Sequence, residues 1–107
     1  MFIKNLSGLA RFSSEKMGKA DLARGEKLFA GLNCFEPGQE HAAHTHAGQD
    51  KLYVILTGEA EVRVGDESAM LIQGDAAFAP SGVVHSIRNA GETRLVVMAV
   101  LAPPPGK

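Results

Sequence analysis

From residue 28 to residue 102 the chain is cut into short apolar runs by turn-forming residues, and this spacing constrains its fold more than any other feature. The breaks fall at Pro37-Gly38, Gly48, Gly58, Gly65-Asp66, Gly74-Asp75, Pro80-Ser81-Gly82 and Asn89-Ala90-Gly91. Runs this brief are short for packed helices but ordinary for β-strands. Residues 59–64 show the pattern most clearly. Ala60, Val62 and Val64 alternate with Glu59, Glu61 and Arg63, a period of two that gives a strand one apolar and one solvated face. Further strands are expected over residues 28–35, 51–57, 68–73, 76–79, 83–88 and 95–101. The expected class is all-β, a sandwich or barrel.

The flanks divide the chain into three parts. Residues 1–27 read as an N-terminal extension, a short strand followed by a loop or marginal helix. Residues 28–102 form the barrel, and 107 residues suffice for one hydrophobic core. Residues 103–107 are a proline-rich tail, because Pro103-Pro104-Pro105 cannot donate to a ladder. Leu52, Val54 and Leu56 alternate with Tyr53 and Ile55, so this strand is apolar on both faces. One cover is the barrel interior and the other a neighbouring strand or a second subunit; a homodimer is the expectation. Cys34 reads as a small buried hydrophobe, and Met70 and Met98 as core packing.

Acidic and basic residues nearly cancel, with a net charge of -1, so no electrostatic attraction to nucleic acid or to an anionic membrane is expected. No apolar run nears the roughly 20 residues of a membrane span, and residues 1–5 lack a secretory apolar stretch. The single cysteine excludes an intrachain disulfide and suits a reducing compartment. A cytoplasmic location is expected.

Four histidines occur, His41, His44, His46 and His85. On a strand, residues two apart point to the same side, so His44 and His46 are able to converge. Two neutral imidazoles aimed at one point suit a divalent transition metal. His85 is distant in sequence but directly follows Pro80-Ser81-Gly82, a turn able to return it to the same place. His41 is off this parity and reads as solvated. No Ser-His-Asp order, phosphate-binding glycine loop or CxxC pair is present, which weakens hydrolase, nucleotide-binding and zinc-ribbon readings.

These residues resemble the two motifs of the cupins. The first, G(X)5HXH(X)3,4E(X)6G, is met by Gly38, His44, His46 and Gly58, with Lys51 at the glutamate position. The second, G(X)5PXG(X)2H(X)3N, is met at every offset by Gly74, Pro80, Gly82, His85 and Asn89. Fifteen residues separate Gly58 from Gly74, as in compact single-domain members. The resemblance implies a double-stranded β-helix, or jelly roll, with the motif histidines inside. It also implies a metal site carried by His44, His46 and His85 and holding one divalent ion of Fe, Mn, Ni, Zn or Cu. Asn89 is expected to hydrogen-bond the loop after its own strand.

The departure at Lys51 bears on that site. A protonated lysine has no lone pair to give a metal. A unit charge about 5 Å from a divalent ion is repelled by roughly 6–7 kcal/mol at an effective dielectric of ~20. Lys51 must then point away, lose its proton, or hold an anion that screens the two charges. Exposed lysines are common, so the first expectation is a solvated strand-edge residue beside Asp50. The alternative is a positive group that steers an anionic substrate. Asp50 shares the straight-strand parity of His44 and His46 and is a substitute fourth ligand, although Gly48 could reset that parity. Lys51 and the aromatic Tyr53 are the candidate substrate contacts.

Three functions remain open. One is a metal-dependent enzyme of oxygenase or isomerase type acting on a small organic molecule. Another is a non-catalytic barrel, with or without metal, that binds a small ligand as sensor or carrier. A metal-free barrel using the histidines as acid and base is a third.

Overall fold

The computed structural model describes residues 1–45 and 47–106, with His44 described by its backbone alone. A 3-10 turn at Leu6–Leu9 precedes nine strands: β1 (Gly18–Arg24), β2 (Phe29–Phe35), β3 (Glu40–His44), β4 (Asp50–Thr57), β5 (Glu59–Val64), β6 (Glu67–Ile72), β7 (Ala76–Ala79), β8 (His85–Asn89) and β9 (Leu95–Ala102). They build two antiparallel sheets, ordered β1-β2-β9-β4-β7 and β3-β8-β5-β6. The architecture is the double-stranded β-helix.

Alternation decides what lies between the sheets. Phe35, Tyr53, Ile55, Leu95, Val97 and Ala99 point inward from the first sheet and meet Ala60, Val62 and Ile87 from the second. Each large apolar side chain buried this way contributes about 1.5–3 kcal/mol. On β5, Ala60 and Val62 are buried while Glu59, Glu61 and Arg63 are exposed, as the period of two requires. The same parity overturns the expectation for Met70. It pairs with Glu61 across the β5–β6 ladder, shares that residue's solvent face and is 53% exposed. Leu71, one residue on, packs against the core instead.

The N-terminal residues run in the opposite order to that expected, turn first and strand last. β1 pairs with β2 along most of its length. Its Ala20 and Leu22, with Ala10 and Phe12, cover Leu32, Cys34, Val96, Leu56 and Met98 on the outer face of the first sheet. Cys34 is fully buried there, and burial raises the pKa of its thiol. Arg94 ties this layer to the barrel, stacking its guanidinium 4.2 Å from the Phe12 ring centroid while paired with Glu36. The chain itself therefore covers part of the second apolar face of β4. Leu52 and Phe78, paired across β4 and β7, remain exposed.

One end of the barrel is closed by hydrogen bonds around Asn89, which is 1% exposed. Its amide donates to the carbonyls of Phe35 and Thr93 at 3.1 and 2.8 Å, and its side-chain oxygen accepts from the Gly91 N–H at 3.0 Å. Asn89 thus shapes the turn after β8, as its place in the second motif suggests. Gly58 belongs to the same end. Its φ is +91°, and a Cβ there would lie 2.6 Å from the Arg94 carbonyl oxygen, so no larger residue fits.

Candidate ligand and metal site

The other end holds His41, His85 and the backbone of His44. β3 and β8 are paired with a bulge between His41 and His44, so that His41 stands opposite Ile87 and the Cα of His44 opposite that of His85. Ile87 and His85 are two apart on β8 and both buried, so both face the interior. Residues opposite one another in an antiparallel ladder share a face. The bulge therefore turns His41 inward, against its expected solvated position: it is half-buried and lines a cavity. An inserted residue shifts parity by one, and nothing in the local sequence marks the insertion. The expectations for His46 and for the His44 side chain lie outside the described residues.

The His85 ring is 4% exposed, and its Nδ1 lies 3.0 Å from the Val83 carbonyl oxygen. A carbonyl only accepts, so in the neutral ring Nδ1 carries the proton and Nε2 carries the lone pair. This is the tautomer that a metal-ligating histidine adopts when a backbone carbonyl orients it. The turn before β8 is clamped from outside. Ser81 N–H donates to the Asp50 carboxylate at 2.9 Å, and Gly48 N–H donates to Ser81 Oγ at 2.6 Å. Asp50 is exposed and bonded to that turn, so it does not serve as a substitute inward carboxylate.

Lys51 takes the inward position. It shares a face with Tyr53 and Ile55 and is only 6% exposed, which overturns the expectation of a solvated lysine. Parity decides this: once Tyr53 and Ile55 fill the interior, the residue two before Tyr53 must follow. The ammonium lies 4.9 Å from the Tyr53 ring centroid, and the Tyr53 and His85 rings meet at 6.1 Å, edge to face. Burial, aided by the charge of Lys19, lowers the Lys51 pKa to about 8. The Tyr53 hydroxyl is also buried, without a hydrogen-bond partner among the described residues, and its pKa is raised by burial.

At Lys51 opens a cavity of about 680 Å3, whose lining includes neither Tyr53, the other expected substrate contact, nor His85. Lys51, His41, Asn33, Gly31, Ala99 and Leu101 line its inner part; Lys19, Asp21 and the tail at residues 103–106 line its lip. Asn33 and Lys19 had no signal in the sequence, because only the pairing of β1 with β2 and of β2 with β9 brings them here. The tail is tied across the lip by Gln49 and Arg24, which donate to the Pro103 and Pro105 carbonyls. Among the described residues no three His, Cys, Asp or Glu side chains gather as a metal group. His46 and the His44 side chain fall outside that statement.

The fold and both motifs point the same way, and the family model for the cupin domain matches residues 31–101. The chain belongs to the cupin family. A solved structure from Thermus thermophilus superposes with a TM-score of 0.93 at 44% identity, covering 98% of this chain and 100% of that one. A Klebsiella pneumoniae protein with a double-stranded β-helix domain gives a TM-score of 0.86 at 27% identity, over 94% of this chain and 89% of that one. The oxalate-binding protein of Thermotoga maritima is 36% identical over 75 residues, 70% of this chain. The matched region spans 61% of that relative's length. As a cupin site, the donor set divides. The His85 tautomer suits a metal ion; the Lys51 side chain, where a cupin glutamate would stand, does not while it is charged.

Proposed function

We propose that this cupin binds a small organic molecule in the cavity beside β4, with a divalent transition metal held by His44, His46 and His85. The observation that carries this reading is the register of β3 and β8, in which His44 and His85 are direct cross-strand partners and the buried His85 ring keeps Nε2 as its lone-pair nitrogen. Fe, Mn, Ni, Zn and Cu all accept imidazole donors. A metal bound there would supply Lewis acidity, polarising an oxygen of the ligand. The chain's own residues do the rest. Val83 holds the His85 tautomer, Tyr53 and the apolar walls limit water, and Lys51 offers positive charge.

A second reading, favoured by the same Lys51 ammonium, is a metal-free binding barrel that acts as carrier or sensor. The oxalate-binding relative lends support to a small ligand in either case. Elemental analysis of the purified protein separates the two. Retained transition metal that is lost in the His44→Ala/His46→Ala double variant supports the first reading, and Lys51→Glu should then tighten retention. No metal, even after reconstitution, leaves the second. Oxygen uptake with diketones, phenols or thiols tests for turnover of the oxygenase type. The exposed Leu52 and Phe78 suit a second copy of the chain, and a monomeric mass in light scattering at micromolar concentration would remove the homodimer.

A further inference from the structure

Among the described residues Lys51 is a charge without a counter-charge. The ion pairs among the described residues are Arg88–Glu61 and Arg94–Glu36, both on the outside, and the Lys51 ammonium donates to no described carboxylate or carbonyl. A cationic side chain this buried is costly unless something pairs with it. Its contact with the Tyr53 ring offsets only part of that cost. Of the three ways for a lysine to stand at this position, pointing away is excluded by its burial.

The surroundings specify the missing partner. Lys19 adds a second positive charge near Lys51 and lines the same cavity. Asp21 sits on the lip as well, but it is exposed and pairs with neither lysine. Asn33, 7% exposed, presents an amide to the cavity wall, and His41 lines it from the opposite sheet. The remaining inner wall, Gly31, Ala99 and Leu101, is apolar. No arginine is among the residues lining the cavity, so the forked donor that favours phosphate is missing there. One buried ammonium, a second at the lip and an apolar wall suit a carboxylate on a small carbon skeleton.

We propose that the cavity is a carboxylate site, in which Lys51, assisted by Lys19 at the lip, holds the anionic end of a small organic acid. The ligand thereby brings to the barrel the negative charge that a glutamate side chain would have supplied at position 51. The assignment rests on the reading of this cavity as the ligand site, and it stands whether or not a metal is bound.

Oxalate, its uncharged isostere oxamide, and inorganic phosphate are titrated into the full chain after chelator treatment, by calorimetry and by backbone amide shifts at Asn33, Lys51, Ala99 and Leu101. Oxalate is expected to bind in preference to both others. Lys51→Met should weaken it by at least about tenfold, since the buried member of a charge pair is removed. Lys19→Gln, at the solvated lip, should weaken it about threefold. Lys51→Arg should retain most of the affinity. Oxamide binding as well as oxalate, with no effect of Lys51→Met, overturns the carboxylate assignment and leaves a ligand site for neutral molecules. Tighter binding of phosphate overturns it in favour of another anion. Failure of all three to bind overturns both this assignment and the ligand-site reading, while metal retention, measured separately, tests the histidines alone.

Discussion

The two ends of the barrel bury polar side chains in opposite ways. At the end of β9 that begins with Leu95, Asn89 is sealed in and every polar atom of its side chain has a protein partner. At the end that finishes near Leu101, the Tyr53 hydroxyl is hidden from water without a hydrogen-bond partner among the described residues, and Lys51, 6% exposed, has no ion pair there. A buried polar group that is fully bonded stabilises and specifies a fold; one left without a partner costs stability. The first end is built to hold the barrel shut, and the second leaves the polar groups on which the proposed ligand site rests.

The largest expected effect lies at the closed end. Asn89→Ala should cost about 2–4 kcal/mol in urea unfolding, because the buried Phe35 carbonyl, the Thr93 carbonyl and the Gly91 N–H lose their partner. A loss below about 1 kcal/mol would break the contrast from that side.

At the open end the sign should reverse. Lys51→Met removes a buried charge and should raise ligand-free stability at neutral pH by about 2 kcal/mol. The pH dependence follows from the same shift. The Lys51 pKa is about 8 in the folded chain against 10.5 for the free side chain, so the unfolded state holds more protons between those values. Wild-type stability gains from this group as pH rises through 8 towards 10.5, and loses that gain as pH falls back through 8. The advantage of Lys51→Met should accordingly shrink above pH 8. Lys19, Asp21, His41, Tyr53 and His85, the other ionisable groups around the site, are common to both proteins and largely cancel in the difference. Equal stability of the two proteins across this range would mean that the ammonium is paired or solvated.

The smallest effect belongs to Tyr53→Phe, expected to leave stability unchanged or to raise it by up to about 1 kcal/mol. Destabilisation beyond that would expose a partner for the hydroxyl and blunt the comparison.

Much of the fold was legible because strands announce themselves locally. The alternation at residues 59–64 and the turns at Gly58, Gly65 and Gly74 depend on neighbours one or two residues away. The strands at β4, β5, β7 and β9 fall within about a residue of their expected bounds. β3 and β1 carried no such alternation, and Met70 was misplaced because a run of mixed small and apolar residues does not reveal which face is solvent. The outer cover of β4 was half anticipated: a neighbouring strand was one of the two possibilities, but the source of part of that cover in residues 10–22 was not.

The sequence by itself determined the class of fold, the presence and spacing of the two motifs, and the departure at Lys51 from the first of them. Spacing and residue type are one-dimensional facts, and they survive without coordinates. Tertiary structure alone decided the directions of the side chains. The bulge that turns His41 inward, the parity that buries Lys51 and leaves Asp50 outside, and the arrival of Lys19 and Asn33 at one cavity all arise from pairing between distant strands. A single inserted residue reverses which face a side chain occupies, and only the partner strand records that insertion.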